Sequence, residues 1–154
     1  MINVIFVCHG NICHSPMGEF IFKAMVKKEG LSGSFHIESA ATSREELGNP
    51  VYPPAARKLR SIGLDCRGHH ARQFTLSDYK HFDYILVMES YNIRNLNRII
   101  GSDKEGKVHR LLDYSKRPRD IADPWYTDDF DTACEEITEG CEGFLSYLKD
   151  RGEI

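Results

Sequence analysis

The stretch Val4-Ile5-Phe6-Val7-Cys8-His9-Gly10-Asn11-Ile12-Cys13-His14-Ser15-Pro16 decides the fold. Four consecutive apolar residues, Val4 to Val7, read as a buried strand that Cys8 ends. Gly10 and Asn11 tolerate the backbone angles of a tight turn. Ser15 suits a helix cap, and Pro16 suits the first helical position. A thiol therefore stands at the end of a strand, in a loop that feeds a helix N-terminus. The free backbone N–H groups of such a loop make a concavity that binds a tetrahedral oxyanion and lowers the pKa of a thiol held in it. The pattern predicts a nucleophilic Cys8 under a phosphate-sized anion. A buried strand-end thiol is the plainer alternative.

Working outward, strands alternate with helices. Met17, Phe20, Ile21, Ala24 and Met25 give one helical face after Ser15, ended by Lys27, Lys28 and Gly30. Phe35 to Ala40 reads as a second strand, Tyr84 to Met88 as a third and Val108 to Leu112 as a shorter fourth. Helices are predicted over Pro54 to Ile62, after Ser90 up to Gly101, and from about Phe130 to Lys149, with a short turn capped by Ser77. The stretches 43–54 and 113–128 read as loops. The alternation predicts a single-domain α/β fold over residues 1–154: a four-stranded parallel sheet with helices on both faces. Ligands bind such sheets beyond the carboxyl ends of the strands, where the strand order switches, and Cys8 lies at that edge.

Composition bounds the function. A chain of 154 residues is long enough for one substantial core, and 41% apolar with 28% charged residues is ordinary for a globular domain. The net charge of −3 argues against a nucleic-acid partner, which selects a basic excess. No apolar run spans a membrane, and the first residues read as a strand rather than a signal peptide. Five cysteines without zinc-like spacing, one of them a nucleophile, fit a reducing cytoplasm. Cys66, Cys134 and Cys141 read as small buried apolar residues. Asp120, Asp128 and Asp129 read as solvated, Asp129 near the start of the last helix.

The segment Cys8-His9-Gly10-Asn11-Ile12-Cys13-His14-Ser15-Pro16 resembles the phosphate loop of the low-molecular-weight protein tyrosine phosphatases, V-C-x-G-N-I-C-R-S-P. Later segments fit in order: Ser39-Ala40-Ala41-Thr42-Ser43, Gly48-Asn49-Pro50, Ala71-Arg72-Gln73, Phe82-Asp83-Tyr84-Ile85 and Asp123-Pro124. The resemblance implies a metal-free, cofactor-free phosphatase that attacks a phosphotyrosine protein or small aryl phosphate through Cys8. It implies a phosphate or sulfate anion in the loop formed by His9, Gly10, Asn11, Ile12, Cys13 and Ser15. It also implies that Asn11 holds the loop's shape, that Ser15 donates to the thiolate, and that Ser39 and His69 hydrogen-bond around Asn11. Cys13 becomes a redox partner for Cys8, able to shield it as a disulfide.

Asp123 is the candidate general acid, since the leaving oxygen needs a proton and the hydrolytic water a base. Pro124 fixes its loop, and Trp125 and Tyr126 are placed to wall an aromatic substrate. Two positions depart from the family pattern. His14 stands where the family has arginine, so a planar, permanently charged fork is replaced by a shorter ring with at most two donors. Glu45, beside Glu46, stands where the family has an aromatic wall residue. His14 predicts a weakened enzyme, losing on the order of 3–4 kcal/mol of transition-state stabilisation for a missing donor. A phosphate- or phosphotyrosine-binding module is the non-enzymatic alternative. Arsenate reduction is the alternative enzymatic reading, and needs a relay of accessible thiols that Cys66, Cys134 and Cys141 do not evidently supply.

Overall fold

Both faces of the first strand are apolar, and that places it at the centre. In the computed structural model, which describes residues 1–154, β1 (Ile2–Cys8) pairs in parallel with β2 (Phe35–Ala41) on one side. On the other side it pairs in parallel with β3 (Tyr84–Val87), which pairs in turn with β4 (Val108–Arg110). The order β2-β1-β3-β4 reverses direction at β1, so the crevice of the sheet opens at the end of β1, where Cys8 stands. The expected four-stranded parallel α/β fold is the observed one.

Side chains along β1 alternate between two cores, as a strand's period of two requires. Val4, Phe6 and Cys8 join one core with Met17, Phe22, Phe144 and Leu148. These come from α1 (His14–Lys28) and α6 (Phe130–Asp150). Ile5 and Val7 join the other core with Phe74, Phe82 and Leu96. This second layer includes α3 (Leu76–His81) and α4 (Ser90–Ile100), while α2 (Pro53–Ser61) packs on the α6 side. Each large buried side chain contributes about 1.5–3 kcal/mol. Gly18 lets α1 approach β1 closely, since a Cβ there would meet the Phe6 ring at 2.7 Å. That close approach holds the N-terminus of α1 against the end of β1.

Several boundaries differ from the sequence expectation, each for a local reason. α1 starts at His14 with Cys13 as its N-cap, so Ser15 lies inside the first turn and its hydroxyl turns to Cys8 instead of capping. Thr75, not Ser77, caps α3, its Oγ1 accepting from the Asp78 N–H at 3.2 Å. The fourth strand ends at Arg110, where Asp113 accepts from the Arg110 N–H and winds Leu111–Tyr114 into a 3-10 turn. The loop after Asp113 holds a further short helix, α5 (Pro124–Thr127), with Pro124 in its first turn. Cys134 and Cys141 are buried as expected, but Cys66 is half-buried and lines an open groove. No helix is long and apolar enough to cross a membrane.

Candidate active site

Asn11 sets the shape of the loop after β1. It adopts φ 60°, in the left-handed region, a conformation that costs a non-glycine residue about 1–3 kcal/mol unless its surroundings impose it. The surroundings do so. Its Nδ2 donates to Ser15 Oγ and to Ser39 Oγ, both at 2.9 Å. Its Oδ1 accepts from the Arg72 N–H at 3.2 Å. Its carbonyl accepts from His69 Nε2 at 3.0 Å, whereas His70 turns away to the Gly48 carbonyl. Its own N–H points at Cys8 Sγ, 3.3 Å away.

Ser15 links that network to the thiol. Its Oγ already accepts from Asn11, so its hydroxyl proton is free to donate to the Cys8 sulfur 2.9 Å away. Beyond Ser39 the chain of contacts ends on Glu19, which accepts from Ser39 Oγ at 2.5 Å and from Lys23 Nζ at 2.6 Å. Glu19 is buried, and His69 Nδ1 lies 3.9 Å from it. Sequence reasoning missed Glu19. Its signal was the row Ser15, Glu19, Lys23 at four-residue spacing, which places a carboxylate on the inner face of α1.

The thiol itself departs from the sequence argument. Burial pushes the Cys8 pKa up, and Asp123 adds to this. The Ser15 hydroxyl and the N–H groups of Asn11 and Ser15 pull it down, but not far enough. A helix N-terminus and two amides do not offset full desolvation when no positive charge stands nearby. Cys13 is likewise buried, free and pushed up by burial.

His14 supplies no such charge. Its ring is fully buried. Nε2 lies 3.2 Å from the Ile121 carbonyl and 3.8 Å from Glu89, and Nδ1 lies 4.0 Å from Asp123. Burial lowers its pKa, and Asp123 and the Ile121 carbonyl only partly reverse this. His14 does not line the cavity above Cys8, because the ring is too short to reach round the loop as an arginine would. That cavity, about 90 Å³, is walled by Cys8 to Cys13, Glu45, Glu46, Asp123, Trp125 and Tyr126.

Asp123 caps α5, its Oδ1 accepting from the Trp125 N–H at 3.0 Å. Its loop is pinned to the sheet. Ile121 is fully buried and its N–H donates to the Met88 carbonyl at 3.0 Å. Asp120 is not merely solvated, since it accepts from the Ser90 N–H and from Arg110. Trp125 rests on Tyr52, with ring centroids 4.7 Å apart, while Tyr126 is largely exposed. On the opposite wall His9 Nε2 and Glu45 form a 2.7 Å pair. A larger groove of about 640 Å³ between Pro50 and Gly68 contains Cys66 and is separate from the Cys8 cavity.

Residues 3–153 match the sequence profile described as low molecular weight phosphotyrosine protein phosphatase. The chain belongs to that family. It is 38% identical over 156 residues to the Bacillus subtilis low molecular weight protein-tyrosine-phosphatase YfkJ, covering 100% of both chains. The crystal structure of YfkJ superposes with a TM-score of 0.94 over 98% of this chain and 96% of that one. The mouse low molecular weight phosphotyrosine protein phosphatase is 38% identical over 148 residues, 93% of each chain. A Drosophila arginine phosphatase shares the fold with a TM-score of 0.87 at 31% identity, covering 95% of this chain and 97% of that one.

Proposed function

We propose that this phosphatase-family chain hydrolyses phosphotyrosine, or an aryl phosphate, through a phosphocysteine on Cys8. The observation that carries the reading is one cavity with the Cys8 sulfur held by Ser15 and Asn11 and with Asp123 on its wall. The Cys8 thiolate attacks phosphorus, the bond to the leaving oxygen breaks, and protonated Asp123 gives its proton to that oxygen. Ionised Asp123 then takes a proton from water as the water attacks phosphorus. The S–P bond breaks, releasing inorganic phosphate and restoring the thiolate. Loop N–H groups and the α1 N-terminus hold the anion throughout. Trp125 and Tyr126 flank the substrate ring. His14 leaves the turnover low, because the loop lacks a permanent charge.

Phosphoarginine is a second reading. Two carboxylates, Glu45 and Glu46, stand on the cavity wall and complement a guanidinium better than a phenyl ring. The test compares a phosphotyrosine peptide, a phosphoarginine peptide and an aryl phosphate, using the parent and Cys8→Ser. Turnover of the tyrosine and aryl substrates, lost in Cys8→Ser while phosphate binding persists, supports the reading. Turnover that survives Cys8→Ser overturns the phosphocysteine route. No turnover of any substrate leaves a binding module.

A further inference from the structure

The His14 side of the loop is chemically unfinished. The Ile121 carbonyl only accepts, so the hydrogen of the neutral imidazole resides on Nε2, which faces it at 3.2 Å. Nδ1 is then a bare lone pair. It is buried, has no hydrogen-bond partner, and lies 4.0 Å from Asp123 Oδ1. Glu89 closes the third side, with Oε1 3.8 Å from Nε2 across the ring edge. One ligand-type atom from each of the three lies within 4.8 Å of the others. A buried nitrogen lone pair without a donor thus stands in one cluster with two carboxylates, and burial makes an unpartnered polar atom costly.

We propose that His14, through its unpartnered Nδ1, together with Glu89 and Asp123 forms a binding site for a divalent cation of the zinc type. One imidazole nitrogen and two carboxylates suit first-row divalent ions. The Nε2–H to Ile121 contact is the outer partner that fixes the tautomer and orientation of a metal-binding histidine. Ligand bonds of about 2.0–2.2 Å need the three atoms slightly closer than they stand. Glu89 can supply that movement, since its side chain is 27% exposed, while the Trp125 N–H holds Asp123 in place. A bound cation puts positive charge beside the cavity where His14 puts none. Asp123 does not hold an acid proton on a ligating oxygen, so a filled site exchanges the acid for a charge. Cation binding does not depend on the phosphatase reading.

Cobalt(II) titration of the full, reduced chain tests the site. One equivalent saturates with visible d–d bands, without a sulfur-to-cobalt charge-transfer band, and Cys8→Ser binds alike. Glu89→Gln and His14→Ala each weaken the apparent Kd about tenfold or more. Glu89→Gln keeps the side chain's shape, so it remains decisive if His14→Ala fails to fold. Three results overturn the proposal: no saturable one-equivalent binding, an unchanged Kd in Glu89→Gln, or a sulfur band that Cys8→Ser removes. Turnover measured in chelator separately decides the phosphatase reading.

Discussion

On the β2 side of the loop every polar group of Asn11 has a partner, and on the β3 side the buried His14 ring faces two carboxylates with one nitrogen unpartnered. The first corner is neutral polar groups closed by Glu19 and Lys23, and it over-determines a strained backbone. The second is a ring held neutral by burial beside a carboxyl whose pKa burial, then Asp123 and Asp120, push up. On the proposed function, the comparison separates two tasks of the loop. Positioning the Cys8 sulfur needs satisfied hydrogen bonds, and these are in place. Supplying positive charge needs a cationic group, and the acidic corner has no permanent one.

The sharpest way to break this division is through Asp123, which belongs to the second corner yet faces the cavity of the first. Asp123→Asn slows aryl phosphates with poor leaving groups by about 10²–10⁴-fold and good ones far less. The slope of log rate against leaving-group pKa is the measurement, and an unchanged slope removes Asp123 from the acid role.

His14→Arg finishes the second corner, with Glu89 and Asp123 already placed to receive a guanidinium. kcat/KM rises on the order of a hundredfold, following the worth of one oxyanion donor. The midpoint of Cys8 alkylation against pH also moves down, since a permanent charge favours the thiolate. The parent gains charge from His14 only at acid pH, below the ring's lowered pKa. An unchanged rate and alkylation profile show that position 14 does not reach the anion.

Asn11→Ala damages the first corner instead. It leaves the Arg72 N–H and the hydroxyls of Ser15 and Ser39 with lost partners. Stability falls by on the order of 3 kcal/mol, read from denaturant midpoints. A loss comparable to a surface substitution contradicts the over-determined loop.

The smallest effect concerns Glu89. Its folded pKa of about 7 lies above the ordinary value of 4.5 that the unfolded chain keeps. The unfolded state therefore releases this proton first as pH rises, and stability falls between those values, staying low above them. Glu89→Gln removes that loss, so its Tm exceeds the parent's by a few degrees at pH 8 and matches it near pH 4. His14, Asp123 and Asp120 face the same carboxyl and remain unchanged in the variant. Equal Tm differences at both pH values contradict the crowded corner.

Much of this was legible in the chain. Apolar runs at Val4 to Val7 and Tyr84 to Val87, alternating with helical periods, determine a parallel α/β sheet, because burial on both faces demands it. Cys8, Gly10 and Asn11 at a strand end determine a thiol in a tight loop before a helix, because the needed backbone angles are local properties. Tertiary structure alone decided what surrounds them. Glu19 meets Ser39 only through the packing of α1 on β2, and His14 meets Ile121, Glu89 and Asp123 across more than 70 residues of chain. Whether Cys8 is activated likewise depends on burial and on charges brought from distant segments. Those forces act through space, and the linear sequence does not contain the distances.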